Sequence, residues 1–546
     1  MDLHYHVWLF FRYLLIVLIF VYFLGGINEL VIDLFYYFNR SYRRLFKGKL
    51  IKPLTRAQLN SVPEKTMAIM LPAWNEGKVI SQMLLNTLGT VDYKNYYIFI
   101  GIYPNDPQTQ EAVEKIQEIY PQLIKTVNPQ NGPTNKADCL NVIHAGIRAF
   151  ENEKGIKFDI LILHDAEDVV HPLSLKLYNY LMPRMSMIQL PVLPLEAHWF
   201  QFTRGVYMDE FAELHLKEML TREKISSALP SAGVGTAFIH EDLEFFGRHN
   251  GAIFNPQTIT EDYEIGMRLS RHGKKSIILQ QFLERIVTKK KWFGRGERRV
   301  KVKDLIATRE YFPKHFWKAV KQRARWTYGI SIQGWRNLKW DKSIGKNYFL
   351  MNDRRSIFAN IFNFLGYFVF LYWITILIIE HFYASFVSPP LIQKNEIYWK
   401  LAVVVLFFFL WKIINRAVTV YRLYGGVMAW LSMIRIFHGN LINFFAALMA
   451  INWYIKYRIT KKEPGWIQTE HQYPTDQDLQ LFRRKLGDLL LENQLVTAKQ
   501  LEEALAIQKN SGGRLGEILV KTGHLKQQDL SDILGLQQAG RKKASS

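Results

Sequence analysis

The nine residues Ile160-Leu-Ile-Leu-His-Asp-Ala-Glu-Asp168 decide how this chain is read. A short apolar run of this kind reads as a strand, and it passes directly into three carboxylates. Further runs at Met67–Leu71, Tyr97–Ile102, Met187–Val192 and Ser276–Leu279 read the same way. Helical patterns at Glu76–Leu88, Thr109–Tyr120 and Asn135–Phe150 separate the first of them. The alternation predicts a doubly wound α/β sheet. Ligands of such sheets bind beyond the carboxyl ends of the strands, so the acids after Leu163 stand at a candidate site.

Outward from this region the chain turns apolar. Residues 13–28 are uncharged, Ile357–Ile379 is 23 residues without a charge, and Ile397–Ile414 carries only Lys400 and Lys412. Each approaches the roughly 20 residues that cross a bilayer. The opening Met-Asp-Leu-His-Tyr-His has neither the basic start nor the small-residue cleavage site of a signal peptide, so the first span is expected to be an uncleaved anchor. Arg40, Arg43, Arg44, Lys47, Lys49 and Lys52 follow it, which by the positive-inside rule places residues 40–350 in the cytoplasm. The segment 427–454 is apolar enough to span but interrupted by Arg435, His438, Gly439, Asn440 and Asn443; it is expected to be an interfacial helix or a helical hairpin, with a further crossing as the alternative. The expected division is an anchor and basic collar (1–52), an α/β domain (53–350), membrane helices with an interfacial segment (351–460), a linker (461–482), a small all-α repeat domain (483–540) and a tail (541–546).

With 70 Lys+Arg against 48 Asp+Glu the net charge is +22, and 14% of residues are aromatic, which fits a chain that meets a polyanion or an anionic membrane. The densest basic cluster, Lys289-Lys290-Lys291 with Arg295, Arg298, Arg299, Lys301 and Lys303, encloses Trp292 and Phe293. No nucleic-acid fold accompanies it, so it is assigned to the membrane face or to a gating loop over the donor site rather than to nucleic acid, with an ordinary solvated face as the equal alternative. Cys139 is the only cysteine, which excludes an intrachain disulfide framework and a cysteine zinc cluster. Any metal must sit on carboxylates or histidines. Asp165 and Glu167, at i and i+2, suit Mg²⁺ or Mn²⁺ carrying a diphosphate; an acidic turn or helix N-cap is the plainer alternative.

Other pieces stand in order along the chain. Asn75 and Glu76 follow the first strand, Asn135-Lys136-Ala-Asp138 opens a helix, Thr260-Glu261-Asp262 opens another, and Gln322-Arg-Ala-Arg325-Trp326 ends a third helical pattern before the membrane spans. Lys136 is placed to meet phosphate, and Asp138 a uracil or ribose. The ordered set resembles membrane-integrated glycosyltransferase family 2, the cellulose- and hyaluronan-synthase-like enzymes. That resemblance implies a GT-A (Rossmann-like) fold, an inverting mechanism, and a nucleotide-diphosphate sugar donor, a UDP-sugar first among them. It further implies Asp262 with Glu261 as the general-base region, and Asp165 and Glu167 as holders of metal and diphosphate. Asn75, Glu76, Lys136, Asp138, Gln322, Arg325 and Trp326 are then implied for donor and acceptor. Two departures are the Asp-x-Glu in place of Asp-x-Asp, with Asp168 as an alternative ligand, and Asn105-Asp106 where relatives carry an acidic pair.

The tail contains a repeat. Leu486-Gly-Asp-Leu-Leu490 recurs as Leu515-Gly-Glu-Ile-Leu519, each unit predicted as two short helices. The pattern resembles the MshEN domain, whose ligand is cyclic di-GMP. By that resemblance Lys485 and Arg514 meet guanine, Gly487 and Gly516 allow close approach, Leu486, Leu490, Leu515 and Leu519 pack on purines, and Gln508 and Gln537 complete the units. Cyclic di-GMP would then be an allosteric activator; a helical interaction module is the plainer reading. Tyr103–Pro107 and Trp466–His471 extend the resemblance to inner-membrane members of the family exploited by phage, which implies a surface polysaccharide product and an outer-membrane partner protein. Alternatives are transfer of a single sugar to a lipid carrier and a non-catalytic receptor or assembly role.

Overall fold

A computed structural model describes residues 2–46, 54–290, 297–383, 385–465, 472–475, 479, 486–492 and 495–538. Lys47, Lys49, Lys52, Lys291–Arg295, Trp466–His471 and Lys485 lie outside the described residues.

The strands of the α/β domain are β1 Met67–Pro72, β2 Tyr96–Ile102, β3 Leu123–Val127, β4 Ile160–Leu163, β5 Met187–Gln189, β6 Val192–Pro194, β7 Thr236–Ile239, β8 Ser276–Ile278, β9 Phe282–Lys290, β10 Glu297–Leu305 and β11 Thr308–Glu310. Seven form one sheet in the order β3-β2-β1-β4-β7-β5-β8, in which β7 runs antiparallel to both β4 and β5 and the remaining pairs are parallel. Both faces are covered, as the period-two geometry of β1 shows: Met67, Ile69 and Leu71 enter one buried cluster and Ala68 and Met70 the other. The helices are α1 Asp2–Phe46, α2 Arg56–Asn60, α3 Ile80–Thr90, α4 Pro107–Gln117, α5 Lys136–Lys154, α6 Ser174–Leu181, α7 Phe202–Glu213, α8 Met219–Ser226, α9 His240–Asn250, α10 Glu261–Arg271, α11 Phe316–Thr327, α12 Gly334–Asn337, α13 Ile344–Phe382, α14 Ile397–Tyr424 and α15 Gly426–Thr460.

Two expectations of local structure are corrected. The single strand at Met187–Val192 is divided, because Pro191 offers no N–H for the ladder. β5 stays in the main sheet, while β6 leaves it and pairs with β11. The helix expected from Glu76 begins at Ile80, because Asn75 adopts a left-handed backbone (φ 58°) and residues 76–79 form a turn.

Four helices, α1, α13, α14 and α15, are long and apolar enough to cross a membrane. α1 and α14 are joined by polar pairs: Lys412 to Glu29 at 2.6 Å, Trp411 donating to Asp33 at 2.9 Å, and Arg12 to Glu396 at 3.0 Å. α15 is one continuous helix, so the hairpin alternative is set aside. Arg435, Gly439 and Asn443 share a face that meets the α/β domain, while Asn440 donates to Tyr367 of α13. Arg435 grips Asp209 of α7 through two bonds of 2.7 and 2.9 Å, a Cβ on Gly439 would lie 3.1 Å from Val206, and Asn443 accepts from Arg323 of α11 at 2.9 Å. Contact with the domain continues to the far end, where Arg336 lies over the Tyr457 ring at 4.3 Å.

Beyond α15, the Glu463 carboxylate accepts from Tyr328 and Arg336, both at 2.7 Å, Gln472 accepts from Arg204, and Tyr473 and Leu479 pack into the domain core. The repeat then folds as α16 Leu486–Glu492, α17 Ala498–Ser511, α18 Leu515–Lys521 and α19 Gln527–Gln538, two helices per unit around their own apolar cluster.

Candidate active site

The carboxyl edge of the sheet gathers its charged residues from five elements. Asn135 caps α5 by accepting from the Asp138 amide at 2.8 Å, which orients the first turn so that Lys136 reaches Asp165, its Nζ 2.6 and 2.8 Å from the two carboxylate oxygens. Asp168 turns the other way. Its Oδ2 meets His164 Nδ1 at 2.6 Å and accepts from the Asp165 amide at 3.1 Å, so it shapes the turn, while Asp165 meets Lys136. β11 adds an acid the sequence did not reveal. The Val169–Arg309 bridge brings Glu310 to this edge, where burial and then Asp168, Glu167 and Asp165 push its carboxyl well above the ordinary range. An all-oxygen donor set in which like charges crowd one another is the chemistry a hard divalent cation relieves.

Glu261 and Asp262 occupy the first turn of α10, N-capped by Thr260. Burial raises both carboxyls, Glu261 to about 7 with Asp262 adding to the rise, while Lys136 and Arg325 act in the opposite direction. Burial alone would lower Lys136, but Asp165, Glu261 and Asp262 together hold it above its usual value. Asp262 rests against Gly233, whose φ is +78° and whose added Cβ would lie 2.6 Å from Oδ2. That loop is fixed by the fully buried Gln189 at the end of β5. Its Oε1 accepts from the Ala232 amide at 2.8 Å and the Thr236 hydroxyl at 2.6 Å, and its Nε2 donates to Val234 at 2.9 Å. Gly233 and Gln189 escaped the sequence reading; the run Gly233-Val-Gly235 before a strand was the available signal.

α11 carries Gln322, Arg325 and Trp326. Arg325 lies close enough to lower both Glu261 and Asp262, and Gln322 is buried with its Oε1 unpartnered. After Trp326 the helix widens into a π-helical segment, Tyr328–Gln333, that locks the approach to Asp262. Gln333 accepts from the Ile259 amide at 3.0 Å and donates to the Gln257 carbonyl at 3.1 Å, and a Cβ on Gly329 would meet Thr260 at 2.4 Å.

At the opposite end of the edge, Asp106 is committed to the backbone. It accepts from the Asn75 amide at 2.5 Å and, as N-cap of α4, from Thr109 at 3.2 Å, while the Glu76 amide donates to the Thr109 hydroxyl at 2.9 Å. Trp74 packs edge-on to Tyr103 at 5.1 Å, with Gly132 close against its ring. Burial raises the Asp138 carboxyl. Apart from these residues, His144 Nε2 and His240 Nε2 lie 3.0 Å apart with Glu244 beside them, but Arg148 already neutralises Glu244 at 2.6 Å, so the group ties α5 to α9.

From Asp262 and Trp326 a cavity of about 500 Å³ extends past Glu310, Glu210 and Arg323 to Glu29 and Asp33 of α1 and Lys412 and Arg416 of α14. The edge that holds the carboxylates is thereby open to the membrane helices.

The tail residues are placed differently from the edge residues. Leu490 and Leu519 are fully buried in the tail's own cluster, Leu486 and Leu515 pack against it, and Gly487 and Gly516 face Leu501 and Leu530. Gln508 donates to the Gly513 carbonyl at 2.9 Å, Arg514 is exposed, and Gln537 lies on α19.

Residues 63–329 match the family described as "Glycosyltransferase like family 2". Bacteriophage adsorption protein B of Escherichia coli K12 is 36% identical over 525 residues, which cover 94% of this chain and 69% of that protein. The chain belongs to the phage-adsorption protein B family. It is a membrane glycosyltransferase with a GT-A-like core and an all-α C-terminal region. Among solved structures, this family member is similar to the mannosyltransferase PcManGT of Pyrobaculum calidifontis in complex with GDP-Man and Mn²⁺, with a TM-score of 0.44 at 15% identity over 78% of this chain and 99% of that one. It is also similar to residues 1–349 of S. aureus TarS with UDP-GlcNAc, at a TM-score of 0.35 and 12% identity over 68% and 91% of the two chains.

Proposed function

We propose that this protein is an inverting transferase that moves a sugar from a nucleotide diphosphate, a UDP-sugar first among them, to an acceptor reaching the site from the membrane. The observation that carries this reading is the cavity joining Asp262 and Trp326 to α1 and α14. Asp262, with Glu261 beside it, accepts the acceptor hydroxyl's proton as that oxygen attacks the anomeric carbon from the side opposite the leaving group. Lys136 and Arg325 stabilise the departing diphosphate, and Trp326 offers an apolar face to a sugar ring. Asp165 and Glu167, with Glu310 near them, would hold a Mg²⁺ or Mn²⁺ ion, which supplies charge neutralisation of the diphosphate. Asn75, Glu76 and Asp138 line the edge where the nucleoside would rest; Asp106, spent on backbone donors, takes no part.

The contacts of α15 along α7 and α11 favour an interfacial helix, with α1, α13 and α14 as the crossings and the catalytic domain and tail in the cytoplasm of an inner-membrane protein. The product is a surface polysaccharide, passed on through an outer-membrane partner protein and used by phage. The tail binds cyclic di-GMP through Arg514 and its neighbours and activates transfer. Its route to the site runs by Glu463, which accepts from Tyr328 two residues after Trp326, and by Tyr473 and Leu479, which pack into the domain core. With α1, α13 and α14 as the crossings, transfer of single sugars to a lipid carrier is the second reading.

Purified protein supplied with labelled nucleotide sugars and Mg²⁺ or Mn²⁺, with and without cyclic di-GMP, is expected to release nucleotide diphosphate. Product length distinguishes a polymer from a single-sugar lipid. Asp262→Asn is expected to lose 10²–10⁴-fold in rate; full activity in that variant would remove Asp262 from its role.

A further inference from the structure

A second cavity, of about 290 Å³, lies where α1 leaves the membrane-spanning region. Arg40 and Arg43 of α1, Lys224 of α8 and Arg422 of α14 line it, and among the described residues no carboxylate does. Lys224 is shared with Glu223, which stands outside the lining, at 2.6 Å, and Arg40 and Arg422 both approach the Tyr36 hydroxyl, at 3.1 and 3.4 Å. Concentrating four cations around one hollow is unfavourable unless an anion enters it.

The wall between the cations is apolar, made by Leu216, Leu220, Phe282 and Leu423. A free phosphate gains nothing from such a wall, whereas a phosphodiester attached to a glyceride backbone satisfies both halves. The level is also right. Tyr36 and Tyr37 mark the aromatic zone at a membrane boundary, and α1 up to that point is long enough for a bilayer. We propose that this cavity binds the headgroup of an anionic phospholipid, its phosphate among Arg40, Arg43 and Arg422 and its glyceride portion against the leucines. The site joins α1 and α14 to α8 and to the start of β9, so a bound lipid pins the catalytic domain to the membrane helices at a point separate from the donor pocket. It stands independently of the reaction catalysed.

The full chain, purified in a mild detergent and reconstituted in nanodiscs of neutral lipid doped with phosphatidylglycerol or cardiolipin, tests this by counting retained anionic lipid with native mass spectrometry. At about 1 kcal/mol per cation, the Arg43→Gln/Arg422→Gln double variant is expected to bind anionic lipid about 30-fold more weakly. An Arg44→Gln/Arg458→Gln control loses the same charge outside the cavity and is expected to bind as the parent does. Equal weakening in the two doubles would reduce the effect to diffuse surface charge and overturn the proposal. Displacement of the lipid by millimolar inorganic phosphate or glycerol phosphate would show a free-phosphate site and overturn it as well. Circular dichroism and size exclusion on both doubles show that each comparison is made on folded protein.

Discussion

Gly233→Ala separates the position of Asp262 from the stability of its surroundings. The backbone at Gly233 has φ +78°, where an L-residue costs about 1–2 kcal/mol, and the new Cβ would stand 2.6 Å from Asp262 Oδ2. Ordinary contact begins at 3.4 Å, so the carboxylate must retreat by about 0.8 Å. Misplacing a reacting group by that much costs on the order of 10²-fold in rate, or about 2.7 kcal/mol of barrier. Gly251→Ala is the matched control, with φ +74° and nothing within 4 Å of its Cβ. The assay is nucleotide-diphosphate release by purified protein at saturating donor, alongside thermal unfolding. Both variants carry the same backbone cost, with the clash added in Gly233→Ala, but only Gly233→Ala should lose about 10²-fold in kcat, with little change in KM for donor. If the two variants turn over at the same rate, Asp262 is not the group whose position limits transfer.

Three further outcomes follow from the charged contacts. Because burial raises both Glu261 and Asp262, and a base must be unprotonated to work, kcat/KM should fall on acidification at a pH above that of an ordinary carboxylate. Lys136→Met removes a charge that opposes the rise and should move the fall to higher pH in a pH–rate profile. Arg435→Met leaves Asp209 fully buried without its partner and should cost about 3–5 kcal/mol in thermal or denaturant unfolding, with much of the loss restored by adding Asp209→Asn. Arg514→Ala should abolish stimulation by cyclic di-GMP while leaving unstimulated turnover intact, read by diphosphate release against nucleotide concentration.

Five of the sheet's seven strands were legible because they are short uninterrupted apolar runs, and β1, β2 and β4 lie within a residue of where such runs place them; β3 and β7, a strand broken by Lys125 and a four-residue strand after a glycine loop, were not read. What escaped were features that depend on partners distant in sequence. Glu310 sits on a three-residue strand and looks like any surface acid until β6 pairs with β11 and delivers it beside Glu167. Gln189 reads as a strand end, and only the fold reveals that it holds the loop under Asp262. Asp168 was indistinguishable from Asp165 in sequence, since which of three neighbouring acids turns inward is set by His164. In α15 the signal was present but ambiguous: Arg435, Gly439 and Asn443 recur every four residues, the spacing of one helical face, yet in composition they resemble an interruption.

α7 offers Asp209, Glu210 and Glu213, and each is held by an arginine from a different helix: Arg435 of α15, Arg323 of α11 and Arg416 of α14. Swinging the sheet away from the bilayer would unseat all three and leave each charge without its partner. The catalytic body and its membrane base therefore behave as one rigid casting. A route for substrate must avoid a hinge at this seam.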